Sequence, residues 1–592
     1  MMSSRVLGVL LASSLLATAS ADGEWQILTV ADGATTNVPG FPKNVWVPNQ
    51  FNNPTIGADG RVSFRGQMAG PGVTTANSRI IVRGDANGFD VLAREGNAVP
   101  GNLIPDVVFN TASGINGLSS GNNLSADGGA LVAGNLNGAG VTTANDTAAF
   151  FVAADGTPFL LGREGDAYPG GGGAIMTTSM SISSGSRLSD DGRFPLLVTL
   201  SGGDVSGTVN NQALMLFGPD GAQVVARKGD AAPGFSDGTT LTPDSFGLNQ
   251  NGDAVEFGGT LVGGSVLPSS DKARFTTIGT KGGLRMFCRE GDPVPGLADT
   301  SYKAGANFSP AIQPIQNGTV TFLADLEGAA VTPTVDDRAI LRESNGSIEV
   351  LLRRGESVPG MTDGAVFGTP NTTGFVMGVN GDMAYQGILQ NPDGTALADL
   401  ATYMGYRDAD GTKYTICRQG DAVPGVKGAT FRSLNGSSSV TLSASGVVVF
   451  TNTVQLADTT TAACLFAWDK VQGLRTIARA GDTNFTGTPC NQLSLGGSTL
   501  HNGNGGSSSL NGSGTLVIRA GDTINAIYAI ATIDLGATEA CAGDFTGDGI
   551  VDGADLASLL GGWGTADGDI DGDGNTDGAD LAALLGSWGT CN

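Results

Sequence analysis

Apolar and polar residues alternate in short runs along most of this chain, and the runs recur about every 64 residues. A tight turn, usually Asx-Gly, precedes each of eight alternating segments. Such a turn is typical of entry into a β-strand, because glycine readily takes a positive φ. The eight segments are ADGRVSF (58–64), ADGGALV (126–132), DDGRFPL (190–196), QNGDAVEF (250–257), QNGTVTF (316–322), VNGDMAY (379–385), ASGVVVF (444–450) and GSGTLVI (512–518).

A second motif, Arg-x-Gly-(Asp/Asn/Glu)-x-x-Pro-Gly, marks the same period. Two explanations fit its arginine: a ring of ligand-binding cations, or a structural pairing with the acid of its own turn, such as Asp166 or Asp230. We favour the structural role, because binding sites tend to break symmetry. The copies begin at Arg94, Arg163, Arg227, Arg289, Arg353 and Arg418, with a weakened copy at Arg479 and one without arginine over 27–40.

Each repeat predicts four strands, which we name A to D. In the first repeat these are residues 61–68, 79–83, 89–94 and 107–115. Residues 27–52 supply an extra C and D, and residues 515–533 supply the last A and B. The prediction is an all-β fold, an eight-bladed β-propeller whose final blade is completed by both ends of the body. A seven-bladed ring is the second alternative and an open solenoid the third. The repeats resemble the NxxGxxAF tandem-repeat surface proteins, a resemblance that implies no activity.

The C-terminal tail concentrates acidic residues. Residues 541–592 hold ten of the aspartates and no Lys or Arg, within a chain of net charge −25. Two 12-residue segments, 544–555 and 569–580, align without a gap, and each precedes a short apolar helix, 556–560 or 581–585. Calcium takes six to eight oxygen ligands, and such loops supply them at alternating positions. The predicted ligands of two Ca²⁺ ions are Asp544, Thr546, Asp548, the Ile550 carbonyl, Asp552 and Asp555, then Asp569, Asp571, Asp573, the Asn575 carbonyl, Asp577 and Asp580.

These duplicated loop-helix repeats resemble a type I dockerin, an EF-hand-like calcium module. The resemblance implies docking to a cohesin-like partner or cell-surface anchor. Dockerins of cellulosomes read their partner through the tenth and eleventh loop residues, which here are Gly553-Ala554 and Gly578-Ala579. The Trp-Gly-Thr-Cys ending is instead similar to the Gly-Cys dockerins of secreted planctomycete-like proteins. In an oxidising compartment, Cys541 and Cys591 are expected to pair across the module.

The N-terminus predicts export. Arg5, an apolar run over 6–16 and small residues over 17–21 are typical of a signal peptide, which is too short to span a bilayer. The predicted domains are a signal peptide (1–21), a propeller (22–538) and the calcium module (541–592). We therefore expect a secreted or cell-surface protein with no membrane span. The negative charge argues against nucleic acid as a partner.

Catalytic signals are weak in this sequence. His501 is the only histidine, no zinc-type cluster or Ser-His-Asp set is visible, and we predict no catalytic residue. Cys288 and Cys417 are expected to be buried thiols, and whether Cys464 pairs with Cys490 stays open.

Two functions are consistent with the sequence: a non-enzymatic binding scaffold, or a carbohydrate-active enzyme, a hydrolase or lyase, for which polysaccharide is the substrate. Acidic or Arg/Tyr side chains gathered at one mouth of the ring would favour the enzyme. The few tryptophans of the body (Trp25, Trp46, Trp468) argue mildly against a lectin.

Overall fold

The repeats fold into eight antiparallel sheets, which are the blades of a β-propeller. The computed structural model describes residues 25–592 except 53, 111–123, 126, 181–187, 190, 249–251, 253, 279–282, 305–312, 316–317, 398–400, 435–439, 496–508, 536–542, 544, 546–549, 566–567, 571–574 and 591–592. The predicted signal peptide, His501, Cys541 and Cys591 lie outside the described residues.

Within each blade the strands lie in the order D-A-B-C. In blade 1 the strands are Phe41–Trp46, Val62–Ala69, Arg79–Asp85 and Gly88–Arg94; in blade 2, Val107–Phe109, Ala130–Gly138, Thr147–Val152 and Pro158–Arg163; in blade 3, Ile175–Met176, Phe194–Ser201, Gln212–Gly218 and Gly221–Arg227; in blade 4, Thr240–Leu248, Val255–Val262, Lys272–Thr276 and Arg285–Arg289. Short strands Asn37–Val38 and Thr55–Ile56 join blade 1, and a 3₁₀ turn spans Pro100–Asn102.

The second half of the ring repeats this order. In blade 5 strand D has two parts, Ser301–Tyr302 and Gln313–Ile315, followed by Thr319–Glu327, Arg338–Ser344 and Ser347–Arg353; in blade 6 the strands are Val366–Met377, Met383–Gln390, Thr402–Arg407 and Lys413–Arg418; in blade 7, Thr430–Phe431 with Val440–Leu442, Val448–Gln455, Thr461–Asp469 and Gly473–Arg479; in blade 8, Gln492–Leu495, Thr515–Asp522, Ile527–Asp534 and Gln26–Ala31.

The sequence patterns explain these strands. Strand B packs against a neighbouring blade on each face, so Thr147–Val152 and Thr402–Arg407 are buried at every position. Strand C is an edge with exposed positions, as in Gly221–Arg227. All eight turn glycines before strand A have positive φ, from +76° to +96°, which confirms the predicted strand-entry turns. A bulge recurs between strands B and C, as at Ile81/Val82 and Leu214/Met215.

The blades close into a ring. Eight buried cores each combine residues of two neighbouring blades, and one of them joins Trp46 and Phe64 of blade 1 to Val517 and Tyr528 of blade 8. Full burial of one such side chain stabilises the fold by about 1.5–3 kcal/mol. Arg519 of blade 8 also donates to the Phe51 carbonyl at 2.7 Å. The prediction of eight blades is confirmed, and the seven-bladed and open-solenoid alternatives are wrong.

The placement of strand D differs from the prediction. Strand D does not follow strand C into the same sheet; it pairs with strand A of the next repeat, as Val107–Phe109 pairs with Ala130–Gly138. The final blade is therefore completed by one N-terminal strand, Gln26–Ala31, which pairs with Ile527–Asp534. The predicted second closing strand, near residues 44–52, belongs to blade 1 as Phe41–Trp46. The Pro-Gly turn explains this, because it redirects the chain after strand C.

Two short helices follow the propeller, α1 (Gly553–Gly561) and α2 (Gly578–Gly586). They begin three residues before the predicted apolar runs, because Asp552 and Asp577 act as their N-caps. Their core consists of Val551, Leu559 and Leu584. Strands Ile550–Val551 and Gly589–Thr590 pair beside them. No described helix has the length and apolar character needed to cross a membrane.

Candidate functional site

The recurrent arginine cross-links strand C to the loop between strands A and B of its own blade. Its Nε donates to a loop carbonyl in four blades, at 2.8 to 3.0 Å: Arg94 to Asn77, Arg163 to Asn145, Arg227 to Asn210 and Arg353 to Asp336. The same bond in four blades is typical of a structural cross-link. The arginines are therefore used within the fold, as we predicted.

The partner of the arginine differs from the prediction in most blades. The turn acid accepts the arginine's own backbone N–H, as Asp166 does from Arg163 at 2.8 Å and Asp230 from Arg227 at 2.7 Å. The predicted ion pair with the turn acid forms at Arg289, where Nη2 lies 2.8 Å from Asp292. The acid lies three positions after the arginine, so the turn brings its carboxylate back to the arginine's backbone amide.

Sequence reasoning missed the loop that receives the arginine. Asn77 and Asn145 each brace this loop by accepting a backbone N–H, from Thr74 at 2.8 Å and from Thr142 at 2.7 Å. The signal was available, because Thr-Thr-Ala-Asn occurs twice, and its asparagine lies 17 or 18 residues before the motif arginine. These asparagines stabilise the blades. We therefore look for ligand binding at positions that differ from blade to blade.

One such position is an acidic cavity at the turns of blades 6 and 7. Its volume is about 350 Å³. It is formed by the turns before strand A and the turns between strands B and C of both blades. The polar side chains that line it are Asn380, Asp382, Tyr406, Asp408, Asp410, Ser445, Asp469, Lys470 and Gln472.

Asp382 is the most buried carboxylate of this cavity, with 4% of the residue exposed. Its Oδ2 accepts from the Tyr406 hydroxyl at 2.9 Å, while Oδ1 has no hydrogen-bond partner among the described residues. Burial raises the pKa of Asp382, although the bond from Tyr406 opposes the rise. The side chain therefore holds a proton more readily than an ordinary aspartate does.

A second carboxylate, Asp408, lines the same cavity. Its Oδ2 accepts from the Tyr414 hydroxyl at 3.4 Å and lies 3.7 Å from Lys470 Nζ. Beneath the two acids, the rings of Tyr406 and Trp468 pack with centroids 5.0 Å apart. A carboxyl of raised pKa beside an ionisable partner is an arrangement that supports general acid and base chemistry.

The other candidate residues of the body are structural. Cys288, Cys417, Cys464 and Cys490 are buried free thiols. The first two agree with the prediction, and Cys464 does not pair with Cys490, because the two thiols lie in different interblade cores. Trp25, Trp46 and Trp468 are all buried, so these three rings do not form exposed sugar platforms.

The two C-terminal repeats share one local geometry around their last predicted calcium ligands. Asp552 and Asp577 cap their helices with nearly equal backbone angles, φ −141° and −142°. In each helix the closing acid, Asp555 or Asp580, is fully buried and accepts the N–H of its capping aspartate, at 2.9 and 2.7 Å. Asp569 and Asn575 are also described, whereas Asp544, Thr546, Asp548, Asp571 and Asp573 lie outside the described residues.

The segments after the two helices also match. Thr565 accepts the Thr576 N–H of the second loop, while Gly589–Thr590 pairs with Ile550–Val551 of the first. Each repeat thus contacts the eighth residue of the other repeat's loop. Large apolar side chains are exposed at equivalent positions of both repeats: Leu560 52%, Leu585 53%, Trp563 47% and Trp588 49%.

Residues 17–395 and 316–523 match a protein family described as "Family of unknown function (DUF7453)". The chain belongs to this family. The DUF7453 matches extend from residue 17 to residue 523, so the two C-terminal helices follow the part of the chain that defines the family. A comparison with curated proteins found no match.

Several solved structures share similarity with this DUF7453 chain. An α-L-arabinofuranosidase of Fusarium graminearum is 11% identical, covering 59% of this chain and 92% of that one, with a TM-score of 0.26. Prolyl oligopeptidase B of Galerina marginata is 11% identical, covering 80% and 55%, with a TM-score of 0.31. A PL25 ulvan lyase is 11% identical, covering 72% and 93%, with a TM-score of 0.26. Similarities in this range carry no functional information.

Proposed function

We propose that this protein is a secreted or cell-surface β-propeller scaffold, displayed through a calcium-dependent, dockerin-like C-terminal module that docks to a cohesin-like partner. The observation that carries the proposal is the matched exposure of one leucine and one tryptophan in each repeat, Leu560 with Trp563 and Leu585 with Trp588. Exposed apolar groups of this size are typical of a docking surface, and tryptophans often dominate binding energy.

Calcium would organise the module that presents this surface. The closing acids Asp555 and Asp580 are fully buried, and buried carboxylates need compensation by a charge or by hydrogen bonds. A divalent cation would add a compensating charge to the hydrogen bonds that these carboxylates already accept. The residues that would hold the two ions are the predicted ligands, Asp544, Thr546, Asp548, the Ile550 carbonyl, Asp552 and Asp555, with Asp569, Asp571, Asp573, the Asn575 carbonyl, Asp577 and Asp580.

Calcium titration of the full chain tests the metal sites. We expect two bound ions by calorimetry, and the loss of one ion in each of Asp544→Ala and Asp569→Ala, because each variant removes the first ligand of one loop. Asp458→Ala, in an exposed propeller turn, is the control and should still bind two ions. Unchanged stoichiometry in both loop variants would contradict the proposal.

Docking is tested by capture on an immobilised cohesin domain, with calcium and with chelator. We expect Trp563→Ala to retain binding, because Trp588 presents the same group from the other repeat. The double variant Trp563→Ala/Trp588→Ala should weaken binding about 30-fold or more, as loss of an interface hot spot of at least ~2 kcal/mol implies. Ile524→Ala, an exposed propeller residue, is the control. Equal capture of the double variant and the parent would argue against this surface.

The acidic cavity favours a second candidate function, a carbohydrate-active enzyme that cleaves polysaccharide. Asp382, with its raised pKa, would act as general acid, and Asp408 would act as base or nucleophile. If so, Asp382→Asn should lower the rate of reducing-end release about 100-fold or more, the usual contribution of a general acid. Asp393→Asn, in an exposed turn of the same blade, is the control. Full activity of Asp382→Asn, or no cleavage of plant and algal polysaccharides by the parent, would eliminate this role.

A further inference from the structure

Strand B of blade 4 carries an arginine at a position where strand B of every other blade carries an apolar residue. On strand B, Arg274 lies opposite Gly258 of strand A and opposite Cys288 of strand C. The structural features of this propeller repeat from blade to blade, so a departure in a single blade needs its own explanation. At the place of Arg274 the other blades carry Ile81, Ala149, Leu214, Ile340, Met404, Leu465 and Ile530.

Arg274 is held by one ion pair. Its residue is 1% exposed, and its Nε donates to Oε1 of the fully buried Glu256 at 2.5 Å. Among the described residues, Nη2 of Arg274 has no hydrogen-bond partner. A buried donor without a partner costs free energy, so an acceptor that reaches this guanidinium would be bound favourably.

A cavity of about 70 Å³ adjoins this guanidinium. Strand D bulges there, because its register with strand A jumps from Pro243/Gly259 to Phe246/Phe257 and leaves Asp244 and Ser245 beside Gly258. A Cβ added at Gly258 would lie 2.5 Å from Asp244 Oδ1, 2.6 Å from Ser245 Oγ and 3.4 Å from Arg274 Nη1. The missing side chain of Gly258 therefore leaves a space that these polar groups share.

The charges around the cavity balance. Arg274 pairs with Glu256, while Lys272 and the exposed Asp244 carry opposite charges and both line the space. Lys272 also donates to Thr260 Oγ1 at 2.6 Å, which fixes its ammonium group. A balanced set of donors and acceptors suits an uncharged ligand that carries hydroxyl groups, because a charged ligand would bring an uncompensated charge to a partly buried site.

We propose that this cavity binds two neighbouring hydroxyls of a neutral sugar. One hydroxyl accepts from Arg274 Nη1, the guanidinium nitrogen next to the space at Gly258, and the other donates to the Asp244 carboxylate. Two hydroxyls need the space of about two water molecules, roughly 60 Å³, so the cavity accepts them while the sugar ring stays at its rim. This site is separate from the C-terminal module and from the cavity of blades 6 and 7, and neither is needed for it to bind.

Saturation-transfer NMR on the full chain tests the site. The probes are methyl α-D-mannopyranoside, glucuronate, and the 1,2- and 1,3-cyclohexanediols. We expect transfer to the mannoside and to the 1,2-diol, and little to glucuronate or to the 1,3-diol. Gly258→Ala should abolish transfer, because its Cβ fills the cavity without breaking the Arg274–Glu256 pair. Asp244→Asn should weaken the binding of the mannoside about tenfold, because it removes a charged acceptor.

Gly259→Ala is the matched control, because the backbone of Gly259 borders the cavity while its added Cβ would face Phe275 on the other side of the strand. It should keep the transfer seen with the parent, and thermal melts should show that both alanine variants are folded. Transfer that persists in Gly258→Ala, or that occurs only to glucuronate, would overturn the proposal. So would the absence of transfer to any probe, which would mean that the cavity holds water only.

Discussion

At the scale of single residues, burial and hydrogen bonding shift the pKa values of two aspartates in blade 6 in opposite directions. Burial raises the pKa of Asp382, whereas hydrogen bonds from the side chain and backbone of Thr395 lower the pKa of the exposed Asp393. A raised pKa means that the folded chain binds the proton more tightly than the unfolded chain does. Asp382 therefore favours folding at low pH and opposes it as the pH rises through its folded pKa.

Asp382→Asn should consequently be more stable than the parent at neutral pH, because the variant removes a buried charge. The difference should vanish below the ordinary aspartate pKa of 3.8, where the parent is protonated as well. Asp393→Asn serves as the control of opposite sign. In the parent, the ionised Asp393 stabilises the fold at pH values above the ordinary aspartate pKa. This contribution is lost as the pH falls through the folded pKa of Asp393. Urea unfolding at both pH values measures the two effects, and an Asp382→Asn variant that is less stable at neutral pH would contradict the assignment.

At the scale of strands and turns, the sequence predicts the elements that carry a repeated motif. It does not predict which strands pair with each other. The alternation that ends at Phe64 recurs in all eight repeats and the arginine motif of Arg94 in seven of them, so strands A, B and C could be placed. Strand D is only two or three residues long in blades 2 and 3, which is too short for a periodic signal. Its partner strand depends on how the Pro-Gly turn directs the chain, and sequence order does not reveal this.

The candidate sites follow the same rule. The calcium loops could be predicted because their ligands are close in sequence and duplicated. The cavity around Asp382 could not be, because Asp382 and Lys470 come together only when two blades pack. The pairing of Arg274 with Glu256 likewise depends on two adjacent strands, and no local motif marks either residue.

The single closing strand makes a prediction about chain ends. Removing residues 25–35 should destabilise the whole ring, because it exposes the edge of strand B, Ile527–Asp534, and uncovers the core around Trp25 and Phe485. The loss of a buried tryptophan alone costs about 3–5 kcal/mol. Thermal melting of the truncated chain measures this effect, and a melt equal to that of the parent would contradict strand closure.

A circular permutant provides the matched control. Moving residues 25–35 to follow Leu535 makes blade 8 continuous and should restore the melting temperature. Moving residues 25–55 instead would carry Phe41–Trp46 away from blade 1, where its Val45 and Trp46 pair with strand A, and should not restore it. Equal behaviour of the two permutants would contradict the pairing of strand D with the next repeat.

At the scale of the whole molecule, the ring and the C-terminal helices have separate cores. We therefore expect a chelator to unfold the helices and leave the propeller melt unchanged within about 2 °C, the shift that ~1 kcal/mol produces in a large domain. Tryptophan fluorescence distinguishes the two parts, because Trp563 and Trp588 are half exposed while Trp25 and Trp46 are buried. A propeller melt that falls with the helices in chelator would show that the two parts unfold as one unit.

The closing strand also sets the order of events during biogenesis. Gln26–Ala31 leaves the ribosome before the other strands of the propeller, yet its partner strand is Ile527–Asp534, near the other end of the body. At the usual 5–20 residues per second, synthesis of the roughly 500 intervening residues takes about 25–100 s. Throughout that time the first strand of the body has no partner, and its open edge can pair with another nascent chain. A protein of this design therefore needs protection from aggregation until translation is nearly complete, and a truncated translation product cannot close its ring.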